Sequence, residues 1–233
     1  MKDQIPNKSL FILIDPEKES DLDLWIAKAK HINSNPNIEG VFLGGSTLKS
    51  DFGKIIIQTF KKESSKPIIG FPGCANQAYK GLDAILFLNF LNTDNEKIIR
   101  SELIKASKEI DNKNIRSIPC AYIIINTKNE STTLQVTNSK AFHPEKDIEE
   151  IMARISFAWH SGQRHLYLEA GSGSDNSIDL ELLTAIRSKF DFHIIVGGGI
   201  RTEHEVQAFF KAGANTVVIG TAVENNPKLL LEL

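Results

Sequence analysis

His193-Ile194-Ile195-Val196-Gly197-Gly198-Gly199-Ile200-Arg201 is a short apolar run that breaks into three glycines. Thr216-Val217-Val218-Ile219-Gly220-Thr221-Ala222 repeats the pattern one unit later. A short apolar, β-branched run of this kind reads as a strand covered on both faces, as in parallel sheets. Each run is followed by residues that open a helix. Glycine lets the backbone approach a ligand closely, and the free amides of a helix start attract an anion. Glycine turns after the last two strands are the usual phosphate site of a (β/α)8 barrel. An open doubly wound sheet would carry its glycine-rich turn after the first strand, and here the glycine clusters follow later ones.

The same alternation extends through the chain. Apolar runs at 10–14, 40–43, 67–70, 84–88, 118–125, 165–168, 193–196 and 216–219 give eight strands. Amphipathic stretches at 22–32, 47–61, 96–110, 146–160, 178–189, 203–211 and 226–233 give helices between them. Ile151, Ile155 and Ala158 recur at helical spacing, as do Leu180, Leu183 and Ile186. Only the link 71–83 is too short for a full helix, so one helix is expected to be replaced by a loop after strand three. Without a Pro/Gly-rich linker, residues 1–233 read as one TIM-barrel domain, close to the roughly 250 residues typical of that fold. The Asn- and Lys-rich tract 126–138 reads as a surface loop or hairpin.

Twenty-seven Lys and Arg against 29 Asp and Glu leave a net charge of −2, which gives no electrostatic footprint for nucleic acid. An anionic ligand must be held locally. Cys74 and Cys120 lie far apart without metal-ligand spacing, the pattern of reduced thiols in a cytoplasmic protein. The first residues carry no apolar signal region, and no apolar run approaches the roughly 18 residues of a membrane span.

Chemistry in this fold sits at the carboxyl ends of the strands. Strand six ends in Tyr167-Leu168-Glu169-Ala170-Gly171-Ser172-Gly173-Ser174. Alternation points Tyr167 and Glu169 to one side, beside the expected phosphate site, where a carboxylate can take a proton from a substrate hydroxyl. The alternative is a glutamate salt-bridged to a neighbouring strand. Gly171 and Gly173 add a second close-approach loop, and Ser172 a hydroxyl. Strand one ends in Asp15-Pro16-Glu17-Lys18 and strand two in Gly44-Gly45-Ser46. Asp15 with Ser46 suits magnesium, which keeps waters and takes further ligands from substrate phosphates. Asp15 alternatively caps the turn at Pro16.

Together these segments resemble the geranylgeranylglyceryl phosphate synthase family, which includes bacterial heptaprenylglyceryl phosphate synthases. The resemblance covers nearly the whole chain, and the pairing of Tyr167–Gly173 with Gly197–Arg201 is its most specific part. It implies transfer of a prenyl group, geranylgeranyl above all, from a prenyl diphosphate to the 3-hydroxyl of sn-glycerol 1-phosphate. The product is an ether lipid precursor. By the same resemblance Asp15 and Ser46 hold magnesium. Tyr167, Leu168, Glu169, Ala170, Gly171, Ser172 and Gly173, with Gly198, Gly199, Gly220 and Thr221, bind glycerol phosphate. Glu169 acts as base. Phe71, Phe87, Phe90 and Leu91 are candidates for an apolar groove under the prenyl tail. A homo-oligomer in transient contact with the membrane at product release is also expected. The chain departs from the family pattern after strand four, where Ser-Gly-Arg-Asn-Pro becomes Asn92-Thr93-Asp94-Asn95-Glu96. It departs again at Cys120-Ala121-Tyr122, where the family reads Thr-Gly-Tyr, and at Thr137-Asn138-Ser139-Lys140-Ala141-Phe142-His143-Pro144. Two other readings fit the phosphate half: a catalytically silent glycerol phosphate-binding barrel, and another phosphosugar-handling barrel enzyme.

Overall fold

The computed structural model describes residues 5–18, 21–45, 52–95, 97–126, 132–231 and 233. Eight strands close into a barrel in chain order: β1 Ser9–Ile14, β2 Ile38–Leu43, β3 Ile68–Gly70, β4 Ala84–Phe90, β5 Ser117–Ile124, β6 His165–Glu169, β7 His193–Gly197 and β8 Thr216–Ile219. β8 pairs in parallel with β1, so no strand edge is left unpaired. The helices are α1 Leu22–Ser34, α2 Phe52–Glu63, α3 Glu102–Lys113, α4 Thr132–Thr137, α5 Ile148–His160, α6 Leu180–Lys189, α7 Glu203–Ala212 and α8 Thr221–Asn225. This is the TIM barrel expected from the alternation of the sequence. After β3 the connection holds only a 3-10 turn, Ala75–Gln77, as the shortness of that link requires.

Strand alternation divides the apolar residues into two shells. Phe11, Phe42, Ile69, Leu86, Ile118, Cys120, Tyr122, Tyr167, Ile195 and Val218 fill the barrel interior. Their neighbours, such as Ile12, Val41, Ile123, Leu168, Val196 and Val217, pack outward against the buried faces of the helices. α5 buries Ile151, Ile155 and Ala158, the spacing read from the sequence. Among the described residues no helix is long and apolar enough to cross a membrane.

Four local expectations change. The helix expected at 47–61 is described only from Phe52, residues 46–51 lying outside the described set. The helix expected from residue 96 opens with a π-helical turn, Lys97–Ser101, before α3. The tract read as loop contains α4, whose β-branched composition carries little helical propensity. Burial of Leu134 in the interior shell holds it instead. The terminal helix expected at 226–233 is the 3-10 segment Pro227–Leu231, preceded by the separate α8. The Asn35 and Asn37 side-chain amides donate to the carbonyls of Leu230 and Leu233, each at 2.9 Å, and tie this segment to the end of α1.

Phe42 stacks on Phe11 at 4.8 Å between ring centroids and is fully buried in the interior shell. Phe42→Ala should therefore cost about 3–5 kcal/mol of stability. Phe157 on α5 is 62% exposed, and Phe157→Ala should stay within about 0.5 kcal/mol of the parent. Denaturant titration of both variants checks the assignment of inner and outer faces; equal losses would contradict it.

Candidate active site

A cavity of about 500 Å³ opens at the carboxyl ends of the strands. Glu169, the last residue of β6, forms part of its lining. Its side chain continues the interior row begun by Tyr167 and pairs in register with Gly197 of β7, which has no side chain to cover it. The residue is only 7% exposed, and among the described residues it has no cationic partner. The ion pair to a neighbouring strand, considered as the alternative from sequence, is therefore not formed. Burial pushes the Glu169 carboxyl up to about 7. The Gly171 N–H, which donates to Oε1 at 2.7 Å, and the nearby Tyr167 hydroxyl oppose that shift. A carboxyl in this range can accept and return a proton near neutral pH.

Glycines shape the rim beside it. Gly198 has φ +87° and Gly199 φ +72°, a region side chains rarely adopt. A Cβ on Gly198 would lie 2.6 Å from Glu169 Oε1, and one on Gly199 would lie 2.4 Å from the Asn176 carbonyl oxygen. Both positions thus require glycine for conformation and for space. The expectation of two open helix starts is corrected at α7. Thr202 and Glu205 form a capping box, and the Glu205 carboxylate accepts the N–H groups of Arg201 at 2.9 Å and Thr202 at 2.8 Å. That end is already filled by the protein's own carboxylate. α8, which starts after Gly220, has no side-chain cap. The Thr221 hydroxyl lies 3.2 Å from that of Ser172 and joins the loop after β6 to the start of α8.

Tyr167, Glu169, Ser172, Gly173, Gly198, Gly199, Gly220 and Thr221 all line this one cavity, with Asp15 on the same wall system. Leu168 and Ala170 belong to the outer shell and Gly171 is spent on Glu169, so these three lie behind the lining. Phe71, Phe87 and Phe90 line the cavity, whereas Leu91 packs in the outer shell. Phe71 stacks on Tyr167 at 5.0 Å and forms part of the cavity floor.

Asp15 is held at the end of β1 by its own turn. The Glu17 N–H donates to Oδ1 at 3.1 Å and the Lys18 N–H to the Asp15 carbonyl at 3.2 Å, the turn-capping geometry also read from sequence. The carboxyl is raised above its ordinary value, first by burial, while the Glu17 N–H and Lys18 oppose the shift. Its oxygens lie against the end of β2, because a Cβ on Gly45 would approach Oδ1 to 2.6 Å. Ser46 lies outside the described residues. Among the described residues no group of three or more His, Cys, Asp or Glu side chains could hold a metal. One hard carboxylate facing an open cavity fits a magnesium ion that completes its shell with water and phosphate oxygens, and it fits no metal that needs an all-protein cage.

Apolar side chains also line this cavity: Ala78, Phe87, Leu103, Ala106 and Ile110, which come from the 3-10 link, β4 and α3. With the helix after β3 missing, only the short 3-10 turn stands beside α3.

Several participants carry no sequence signal. Asn126, after β5, donates its amide to the Ala170 carbonyl and to Ser174 Oγ, and so holds the loop that follows Glu169. Asn92 is buried and exchanges hydrogen bonds with both backbone groups of Ile124, at 2.8 and 2.7 Å. Arg154 of α5 pairs with Asp94 at 2.9 Å and donates to the Leu91 carbonyl at 2.7 Å. The segment that departs from the family pattern after β4 is therefore fixed by contacts of its own.

A model of the PcrB family matches residues 3–232. The geranylgeranylglyceryl phosphate synthase of Flavobacterium johnsoniae is 34% identical over 221 residues, 94% of this chain and 89% of that protein. Its namesake in Korarchaeum cryptofilum is 34% identical over 215 residues, 92% of this chain and 87% of that protein. The solved (S)-3-O-geranylgeranylglyceryl phosphate synthase of Thermoplasma acidophilum, in complex with sn-glycerol-1-phosphate, superposes with a TM-score of 0.87 at 26% identity. That match covers 97% of this chain and 90% of that one. The tryptophan synthase α-subunit of Pyrococcus furiosus, with a TM-score of 0.59 at 15% identity, shares the fold alone. A match over almost the full length, with relatives above 30% identity across more than nine-tenths of the chain, settles membership: the chain belongs to the PcrB family.

Proposed function

We propose that this protein transfers a prenyl group, geranylgeranyl by preference, from a prenyl diphosphate to the 3-hydroxyl of sn-glycerol 1-phosphate, and that the reaction depends on magnesium. One observation carries the reading. A buried carboxylate, Glu169, with no cationic partner among the described residues, shares a single cavity with a glycine-rich rim, with Asp15, and with a set of apolar side chains. Those four features are what the two substrates require: a proton acceptor, a seat for a phosphate, a ligand for a diphosphate-bound cation, and a trough for a hydrocarbon. The named relatives act in the same sense. The two free cysteines fit a reducing cytoplasm.

Glycerol phosphate would lie with its phosphate on Gly173, Gly198, Gly199 and Thr221, which supply amides and a hydroxyl without a side-chain cation. That placement sets the far hydroxyl toward Glu169. Glu169 Oε1 accepts the Gly171 N–H, which leaves Oε2 as the oxygen to take the proton. The prenyl tail would lie along Phe87, Leu103 and Ala106, and its burial there keeps water from the allylic carbon that the hydroxyl attacks. Asp15 would hold magnesium, which when bound neutralises charge on the departing diphosphate. Glu169 is needed as the carboxylate, so its task is performed above about pH 7 and lost as pH falls below it.

Glu169→Gln keeps the size and the acceptor for Gly171 but takes no proton. Turnover at saturating substrates should fall about 10²–10⁴-fold. The folded state holds its Glu169 proton more tightly than the unfolded chain does, so the native residue loses stability as pH rises through 7. The neutral amide escapes that loss. Melting at pH 8 should therefore show the variant at least as stable as the parent, and turnover within about threefold of the parent would remove Glu169 from the mechanism. Asp15→Asn should abolish transfer while leaving glycerol phosphate affinity within about threefold. Calorimetry with chelator present checks this, and loss of glycerol phosphate binding would contradict the separation of the two halves.

A further inference from the structure

Two basic side chains line the described part of the cavity, Lys18 and Arg201. Arg201 is committed elsewhere. Its guanidinium donates to the carbonyl oxygens of Ser174 at 2.7 Å, Gly199 at 3.1 Å and Asp175 at 3.3 Å, and so ties the loop after β6 to the loop after β7. Lys18 is engaged differently. Among the described residues its Nζ pairs with the Glu224 carboxylate, at 2.7 Å, on α8, which follows the strand next to β1. The lysine is 45% exposed and the glutamate 19%, so this ion pair is partly solvated and weak. A lysine on a flexible stem exchanges such a partner readily for a phosphate oxygen.

We propose that Lys18 is the exchangeable cation of this site: it leaves Glu224 for the diphosphate of the donor substrate, and Glu224 is the counter-ion that parks it while the site is empty. The inference rests on the donor assignment made above. Lys18 serves the diphosphate rather than glycerol phosphate because of the turn it belongs to. The Lys18 and Glu17 N–H groups fold the turn onto Asp15, and the Lys18 side chain lines the same cavity close enough for its charge to act on the Asp15 carboxyl, so a group drawn to Asp15 arrives near Lys18. The glycerol phosphate seat, by contrast, is built from backbone and hydroxyl groups on β6, β7 and β8. A diphosphate brings more negative charge than one magnesium ion neutralises, and Lys18 supplies a positive charge beside it.

The test is calorimetry of inorganic pyrophosphate with magnesium, and separately of glycerol 1-phosphate, on the parent, Lys18→Gln and Glu224→Gln. Lys18→Gln should weaken pyrophosphate binding by about tenfold to a hundredfold, the range for a charge-assisted hydrogen bond, and leave glycerol 1-phosphate within threefold. Glu224→Gln should act in the opposite direction and tighten pyrophosphate by up to about fivefold, because the weak pair no longer has to break. A staple that merely joins the β1 turn to α8 predicts that both variants melt earlier together and shift pyrophosphate affinity in the same direction. That result overturns the proposal. So does pyrophosphate binding unchanged in Lys18→Gln, or a loss that falls on glycerol 1-phosphate instead. If the parent itself fails to bind pyrophosphate with magnesium, the donor assignment falls and takes this inference with it; a parent that binds while Lys18→Gln matches it removes Lys18 alone.

Discussion

The site depends on one constraint: the Glu169 carboxylate is buried at the end of β6, and among the described residues no cation neutralises it. A carboxylate left that way costs stability as pH rises to its raised pKa. The basic side chains that line the described part of the cavity, Lys18 and Arg201, are paired elsewhere, and backbone is brought to the carboxylate instead. Gly197 in register leaves the space above β6 open, Gly198 turns with φ +87° so that the chain passes close to Oε1, and Gly171 offers an N–H. The geometry places a carboxyl with its pKa raised to about 7 on the wall of the cavity, as the proposed proton acceptor requires.

The barrel arranges the two halves of the chemistry around that group. Backbone and hydroxyl groups after β6, β7 and β8 form the glycine-rich part of the lining, and Asp15 and Lys18 follow β1, the strand paired with β8. Between β3 and β4 the ordinary helix is reduced to Ala75–Gln77, and apolar residues of this link, β4 and α3 line the cavity there. Loss of a helix in a TIM barrel thus opens a binding volume without breaking the sheet, because the strands remain paired around the full circle.

The fold was legible because parallel strands buried on both faces leave nearly continuous apolar runs, and the glycine turns after β7 and β8 mark the ligand end. The position of Glu169 and Asp15 on the cavity wall was legible for the same reason: a carboxylate at a strand end has a place defined by the strand. Thr202-x-x-Glu205 carries the capping-box spacing, a signal that Glu205 fills the start of α7, but the glycine turn before it draws the reading toward a phosphate. Sequence could not pair Lys18 with Glu224, or Asn126 with Ala170, because those partners are far apart in the chain and meet only when the barrel closes. α4 was missed because burial of Leu134, rather than helical propensity, holds it.

The central claim is that Glu169 is a poised proton acceptor, and its own titration tests that most directly. Carbon-13 NMR of the glutamate carboxyls, with Glu169 assigned by its absence in Glu169→Gln, follows the group without substrate or turnover. The account predicts a midpoint near 7. A midpoint at the ordinary glutamate value, near 4.5, would mean that burial does not hold the proton there, and it would contradict the account at its base.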